Sequence, residues 1–290
     1  LMGGECGRYE QETIVVFFAL VFRSMRSWFA SEHKKTYLGK YFDWNINIGL
    51  PTEKFHDEKM VELYRILSGA AWFLSSGNED ISFSSASASL DLYLDGNILC
   101  HADNDTKKRV IHTDQINCFP EFVAQVASYV KSPRRLDDLH LLVDIGAGTA
   151  DVTVFNIHRD QALEDVFPIF GKGVKPLGTS YLLNHRYQKL GKKTPVDPTL
   201  PVPSNAQFVN DLNIEESILH DVDKDFCKNF RILVASELQR VKAKRYPKSP
   251  RWKTGIPCFL SGGGKDLEPY KNVLTQMMQE DYPFRIAMDS

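Results

Sequence analysis

Residues 144–151 read Asp-Ile-Gly-Ala-Gly-Thr-Ala-Asp, and this stretch decides the fold. The apolar run Leu139–Asp144 predicts a buried strand, and the β-branched run Val152–Ile157 predicts a second strand directly after it. Glycines between the strands permit a tight turn, and their lack of Cβ atoms lets a ligand approach the backbone. Exposed N–H groups in such a turn form a concave site suited to phosphate. The sequence therefore predicts a hairpin whose turn can hold an anion.

Two carboxylates bracket this turn, and a hydroxyl group lies inside it. Polyphosphate brings Mg²⁺, a hard ion that takes oxygen ligands and keeps several waters. Asp144 and Asp151 are the candidates to hold those waters, and Thr149 is the candidate to donate to a phosphate oxygen. A plain hairpin with aspartates at its ends explains the same residues, because turns favour Asp. The turn by itself leaves both interpretations open.

The same strand and turn also resemble the first motif of S-adenosylmethionine-dependent methyltransferases. In those enzymes the turn must run into a helix whose N-terminus faces the cofactor. The β-branched residues of Val152–Ile157 disfavour a helix at this point. We therefore expect a hairpin, and the methyltransferase interpretation is the weaker alternative.

A second glycine turn follows another apolar strand. Ile256–Leu260 is the predicted strand, Ser261–Gly264 is the turn, and a helix with inward-facing Tyr270 and Leu274 comes next. Together the two turns resemble the second phosphate loop and the adenosine loop of the actin and heat-shock-chaperone ATPase superfamily, which includes sugar kinases. The resemblance implies phosphate contacts at Gly146, Ala147 and Gly148, and adenosine contacts at Gly262, Gly263 and Gly264.

Three other places extend the resemblance. Glu121 begins a stretch similar to the superfamily's connecting helix, whose leading Glu or Gln positions the attacking water, and Tyr129 lies at the chaperone tyrosine position. Glu237 and Arg240 resemble the E-x-x-K pair that holds ribose and adenine. Gly178 lies in a segment similar to the L-G-G turn that follows the phosphate hairpin. The resemblance implies a catalytic role for Glu121 and ligand-binding roles for Glu237, Arg240 and Gly178, whereas Tyr129 is a match of position alone.

Each of these residues also has a structural explanation. Glu237 falls at the centre of the apolar stripe of a predicted helix at 214–245, where a buried salt bridge to an arginine would compensate its charge as well as a ribose hydroxyl would. Glu121 in the first turn of a helix stabilises the helix dipole. Gly178 fits ordinary helix-start geometry.

The composition excludes several classes of protein. The 290 residues are 43% hydrophobic and 25% charged, with a net charge of −2, so no overall basic field recruits nucleic acid. The longest apolar run, Ile14–Phe22, is about half of a bilayer span, so we expect no membrane span and a cytoplasmic location. Five cysteines without a C-x-x-C pair argue against disulfides and zinc, and dispersed histidines argue against metal catalysis by protein ligands alone.

The pattern along the chain predicts two lobes. A polar break at Arg134–Asp138 separates 1–138, the remainder of the first lobe, from 139–290, the second lobe. Helices are predicted at 11–30, after Asp57, from Pro120 and at 214–245. Residues 76–116 are expected to form weak strands and turns, and residues 191–213 a proline-rich surface loop.

The sequence departs from the superfamily in its N-terminal part. Members carry a first phosphate loop, D-x-G-[ST], and nothing between Leu1 and Asp43 matches it. We therefore expect an N-terminally truncated chain with the α/β, actin-like ATPase (ribonuclease H-like) two-lobed fold, its first lobe incomplete.

The resemblance implies an actin-like or chaperone-like protein that binds ATP with Mg²⁺ and hydrolyses it, provided that the missing strands are present. Asp144 would hold the Mg²⁺ through water, and the partners would be nucleotide and either further copies in a filament or another protein. A nucleotide-dependent scaffold or filament protein with little turnover is the alternative. A phosphotransferase to a small molecule would need a carboxylate base that the sequence does not identify.

Overall fold

The computed structural model describes residues 7–40, 42–50, 57–95, 104–161, 163, 165–194, 202–280 and 286–288 of the chain. The chain divides into two compact units, Leu1–Ala124 and Gln125–Ser290. The division falls within helix α6 (Glu121–Val130), upstream of the polar break at Arg134–Asp138. Both units combine helices with strands, so the predicted α/β class is confirmed.

The first unit contains a two-stranded parallel sheet covered by helices. Strands β1 (Ile46–Leu50) and β2 (Ile116–Pro120) pair in register, with Ile46 opposite Ile116. The helices are α1 (Arg8–Glu32), α2 (Lys34–Tyr37), α3 (Glu58–Ser76), α4 (Phe83–Leu94) and α5 (Asn104–Arg109). As predicted, Asp57 caps α3, because its carboxylate accepts from two backbone amides of the first turn. The core of this unit lies where α1, α3 and α4 pack together.

The prediction of strands and turns over 76–116 is wrong for α4. Ser82 begins this helix through a reciprocal capping box with Ser85. Leu90 and Tyr93 are buried at helical spacing, whereas Leu92 and Leu94, which gave the stretch its alternating appearance, face outward. The cap and the packing on α3 together outweigh the short period-two pattern.

Helix α1 is long and apolar enough, by length and composition alone, to cross a membrane, which the nine-residue run Ile14–Phe22 did not indicate. The helix has 25 residues and contains an 18-residue window with a mean hydropathy of 1.4. Of the residues in that window, 17% are buried. A core helix or a signal sequence near an N-terminus has the same length and composition. Val15, Ala19 and Phe22 are buried, and α1 packs on α3 and α4, so this helix contributes to the core of the first unit.

The second unit is built on a mixed sheet with the spatial order β6-β4-β3-β7-β8 through its centre. Its strands are β3 (Asp138–Ile145), β4 (Ala150–Arg159), β5 (Asp165–Val166), β6 (Ile169–Lys175), β7 (Ile256–Ser261) and β8 (Ile286–Met288). Strand β4 is antiparallel to β3, β5 and β6, whereas β7 is parallel to β3 and to β8. The predicted strands β3, β4 and β7 are therefore present, and β6 is an addition that the sequence pattern did not indicate.

The helices of the second unit position the loops at the ends of these strands. They are α7 (Thr179–Lys189), α8 (Asn205–Leu212), α9 (Glu216–Lys244), α10 (Arg251–Thr254) and α11 (Glu268–Gln279). Helix α8 corrects part of the loop predicted at 191–213: Ser204 caps it and Phe208 is buried. Residues 195–201 of that prediction lie outside the described residues. Helix α9 packs on β4 and β6, and α7 and α11 pack on α9.

A buried ion pair joins α7 to α9. The Arg186 guanidinium donates from Nε and Nη2 to the two carboxylate oxygens of Asp223, at 2.9 and 2.6 Å, and Nη2 also lies 2.6 Å from Asn205 Oδ1. The Arg186 side chain is 0% exposed, so this pair lies where water does not screen it.

We expect Arg186→Met to lower the free energy of unfolding by about 3–5 kcal/mol, because Asp223 would be left buried without its charge partner. Urea denaturation measures the loss. The matched control is Lys189→Met on the same helix, whose partner Asp225 is exposed, and this variant should unfold like the parent. Equal stability of the two variants would contradict the proposed importance of the Arg186 pair.

Candidate functional site

The glycine turn at 146–149 joins β3 to β4 as a hairpin. Ile145 pairs with Ala150 across it, and Gly146 N donates to Thr149 O at 2.9 Å. Strand β4 begins directly after the turn, as the β-branched residues predicted. A methyltransferase motif needs a helix at this position, so the structure removes that alternative.

Two aspartates face each other at the base of the hairpin. Asp144 and Asp151 are register partners, so their side chains lie on the same face of the sheet. Opposed like charges repel, and each carboxylate accepts a neutral donor: Gln125 Nε2 lies 2.9 Å from Asp144 Oδ2, and Thr149 Oγ1 lies 2.7 Å from Asp151 Oδ2. Both aspartates are half-exposed, which leaves them accessible to a cation.

The donor set fits a hydrated magnesium ion better than a metal held by protein alone. Within the described parts of the chain, no group of three or more His, Cys, Asp or Glu side chains could hold a metal. Mg²⁺ commonly binds through one or two carboxylates and completes its shell with water and substrate phosphates. Asp144 and Asp151 match that requirement in number and in chemistry.

The N-terminus of α7 packs on the hairpin turn and orients its peptide groups. Thr179 N donates to Gly146 O at 3.0 Å, Ser180 N to Ala147 O at 2.9 Å, and Gly178 N to Gly148 O at 3.3 Å. The carbonyls of three consecutive turn residues therefore face α7. In a planar trans peptide the N–H points opposite to the preceding C=O. The three N–H groups that follow these carbonyls consequently point away from α7, side by side.

This arrangement produces a nest of amide donors. Within the part of the chain that the structure describes, the amides of Ala147 and Gly148 donate to no carbonyl or side chain. A Cβ atom placed on Gly148 would have no heavy atom within 4 Å, so the turn borders open space. Unpaired parallel N–H groups beside open space attract an anion.

Gly178 is required for the contact between α7 and the turn. A Cβ atom at this position would lie 2.5 Å from Ala147 O and 2.6 Å from both Gly146 O and the carbonyl carbon of Gly148. The residue is buried and is the N-cap of α7. Its observed role is to let the helix approach the hairpin backbone.

The second glycine turn packs against the first. Gly264 N donates to Ile145 O at 3.0 Å, and a Cβ on Gly262 would lie 2.4 Å from both Asp144 Oδ1 and Ile145 O. Gly262 also has φ +85°, a conformation that other residues rarely adopt. Gly263 is exposed and borders open space, as Gly148 does. The two turns lie together because β7 runs parallel to β3 and both strands end at the same edge of the sheet.

Glu237 and Arg240 lie on the face of α9 that packs against β6. A Cβ on Gly173 would lie 2.9 Å from Glu237 Oε1, and Arg240 pairs with Glu237 and donates to Lys172 O at 2.9 Å. Burial raises the pKa of Glu237, and the charge of Arg240 partly opposes that rise. The salt-bridge alternative is thus observed, and the described contacts of this pair involve β6 rather than the glycine turns.

Glu121 is an exposed residue at the start of α6. Its Cα and Cβ lie 3.3 Å from where a Cβ on Gly49 of β1 would be. Its role in orienting a water molecule stays a prediction. Gln125, one helical turn later, bonds Asp144 directly and was not among the predicted site residues. Its position on the helix face between Glu121 and Tyr129 was the available signal.

The described cysteines have thiols whose pKa is raised by burial, so none of them is activated. Cys118, Cys227 and Cys258 are free, and they are the cysteines among the described residues. Burial raises the pKa of Cys227 to about 11 and that of Cys258 to about 12, so both remain protonated at neutral pH.

Comparison with known proteins gives matches among solved structures alone: no protein-family profile and no curated protein matches the sequence. A ParM "non-polymerisable quadruple mutant" is 16% identical, with 84% of this chain and 63% of that chain covered at a TM-score of 0.39. A 15-stranded ParM filament from Clostridium botulinum is 14% identical, with 62% and 50% covered and a TM-score of 0.37. Apo ParM from Bacillus thuringiensis is 13% identical, with 57% and 47% covered and a TM-score of 0.33.

All three are structures of ParM proteins. The chain spans between 47% and 63% of their length. All three TM-scores are below 0.5, so functional inference rests on the geometry of the turns.

We expect Gly178→Ala and Gly148→Ala to differ in their effect on folding. The methyl group at 178 collides with backbone atoms that cannot move aside, which should cost about 1–3 kcal/mol of unfolding free energy. The methyl group at 148 enters open space, so Gly148→Ala should unfold like the parent. Thermal denaturation compares them, and a stable Gly178→Ala variant would contradict the described contact between α7 and the hairpin.

Proposed function

We propose that this chain binds ATP with Mg²⁺ at the joined glycine turns of the second unit. The observation that carries the proposal is the set of parallel, outward-facing amides of the hairpin turn beside the opposed carboxylates of Asp144 and Asp151. Amide nests favour phosphate, and a carboxylate pair favours the cation that accompanies polyphosphate. No single anion explains both features as well as a metal-bound nucleotide does.

The residues of the two glycine turns would bind different parts of the Mg²⁺–ATP complex. The amides of Ala147 and Gly148 would hold phosphate, and Asp144 and Asp151 would hold the waters of Mg²⁺. A phosphate contact of the Gly146 amide would require that amide to release Thr149 O. The Thr149 hydroxyl donates to Asp151, so its donation to a phosphate oxygen would require rotation of that hydroxyl. The turn Gly262–Gly264 would lie against adenosine.

Glu237, Arg240 and Gly178 have roles with more direct support. The better-supported role of Glu237 and Arg240 is to pack α9 on β6. Contact of these residues with ribose and adenine would require their salt bridge to open. The better-supported role of Gly178 is to let α7 approach the hairpin closely.

Hydrolysis of ATP is the activity that this arrangement would serve. Mg²⁺ supplies neutralisation of the charge that develops on the transferred phosphoryl group. The chain would contribute donors fixed before the reaction begins, which is the main requirement of phosphoryl transfer, and Glu121 would orient the attacking water. A filament or scaffold protein with little turnover would use the same site. We propose a cytoplasmic location, which the free cysteines support.

Replacement of the open glycines tests the proposal. Gly148→Ala and Gly263→Ala should each weaken binding of Mg²⁺–ATP by about tenfold or more, because a methyl group occupies the space where the ligand would meet the backbone. Titration with a fluorescent ATP analogue measures the dissociation constant.

The control is Ala147→Gly, which removes a methyl group from the same turn and should retain binding. Absence of nucleotide binding by the unchanged chain would contradict the proposal. Parent-like affinity in both alanine variants would also contradict it, because the ligand would then lie elsewhere.

A further inference from the structure

Two hydrogen bonds attach helix α6 to β3, and they are four residues apart on both the helix and the strand. Gln125 bonds Asp144 near the end of β3, and Tyr129, one helical turn later, lies 3.2 Å through its hydroxyl from His140 Nε2. The helix therefore runs antiparallel to the strand. Each contact joins one helix residue to one strand residue, and the two contacts involve different chemical groups.

We propose that Gln125 is a positioning residue that fixes the Asp144 carboxylate for the magnesium ion of the bound nucleotide. This inference rests on the proposed function, because it assigns a role within that same site. The Gln125 amide occupies Oδ2 of Asp144, whereas Oδ1 lies at the glycine turn, 2.4 Å from where a Cβ on Gly262 would be. The two oxygens are thereby distinguished: Oδ2 is held by the protein, and Oδ1 is directed to the site.

The hydrogen bond opposes a specific electrostatic force. Asp144 and Asp151 are directly opposite in the hairpin, and their repulsion favours rotation of either carboxylate away from the other. Gln125 holds Asp144 in place, as the Thr149 hydroxyl holds Asp151. Without the Gln125 amide, the free energy of Mg²⁺ binding would include the cost of fixing the Asp144 carboxylate in one orientation.

The neutrality of the glutamine side chain suits this role. A lysine or arginine at position 125 would also hold the carboxylate, but its charge would compete with the cation for Asp144. An amide donates one N–H and leaves the negative charge of the aspartate pair intact. The site thus keeps its attraction for Mg²⁺ while the geometry of Asp144 is fixed.

The second contact provides a matched control. His140 is fully buried, and its Nδ1 donates to Asp138 O at 2.7 Å, so Nε2 accepts the Tyr129 hydroxyl hydrogen. Burial lowers the pKa of His140 to about 4, in agreement with a neutral ring. The Tyr129 oxygen also accepts from Leu136 N at 2.8 Å. The Tyr129 hydroxyl therefore attaches α6 to β3 through His140, whereas the Gln125 amide does so through Asp144.

The test measures how much Mg²⁺ each variant needs to bind nucleotide. A fluorescent ATP analogue is titrated with Mg²⁺ in the full chain, and its affinity is also measured in EDTA. Gln125→Ala should raise the half-saturating Mg²⁺ concentration about five- to tenfold and leave the affinity in EDTA unchanged, because Mg²⁺ binding would then include the loss of rotamer freedom of the Asp144 carboxylate.

Tyr129→Phe distinguishes positioning from mere attachment of the helix. It should lower the melting temperature, because His140 Nε2 and Leu136 N both lose their hydrogen-bond partner, yet keep the parent's Mg²⁺ requirement. An unchanged Mg²⁺ requirement in Gln125→Ala, or an equal increase in Tyr129→Phe, would overturn the inference while leaving the proposed function intact. Failure of the parent chain to bind nucleotide would overturn both.

Discussion

Three hydrogen bonds from the first amides of α7 to the hairpin turn determine the chemistry of the candidate site. They hold the carbonyls of Gly146, Ala147 and Gly148 on one side of the turn. Peptide planarity then places the following N–H groups on the other side. A loop that could otherwise adopt many conformations becomes a fixed set of donors, with the orientation established before any ligand arrives. The donors are thus preorganised by ordinary helix-terminus bonding.

The rest of the second unit maintains that contact. Gly178 permits the close approach of α7, and the buried pair of Arg186 and Asp223 attaches the same helix to α9. Helix α9 in turn packs on β4 and β6, where Glu237 lies against Gly173. The parallel pairing of β7 with β3 brings the second glycine turn to the same edge of the sheet. Core packing and the geometry of the turns are therefore parts of one arrangement.

The sequence predicted the parts of this arrangement that local patterns determine. The hairpin, the strand β7 and both glycine turns follow from apolar runs, β-branched residues and glycine positions. Helix α4 was missed because its serine cap and its packing on α3 outweighed an alternating stretch. Strand β6 was missed because its glycines lack strand propensity, yet two of them allow α9 to lie directly on the sheet. The bond from Gln125 to Asp144 joins segments that are separate in the sequence. The local pattern shows only that Gln125 shares a helix face with Glu121 and Tyr129, and it does not indicate the partner.

Gly148 and Gly263 are far apart in the sequence, and in the proposed site they border one ligand. Selective ¹⁵N labelling of the 18 glycines allows their amide signals to be followed in solution as Mg²⁺–ATP is added. We expect the Gly148 and Gly263 signals to shift together, with the same half-saturating nucleotide concentration, while the signals of Gly39 and Gly191 stay in place. Movement of only one of the two turns, or of neither, would contradict a shared site.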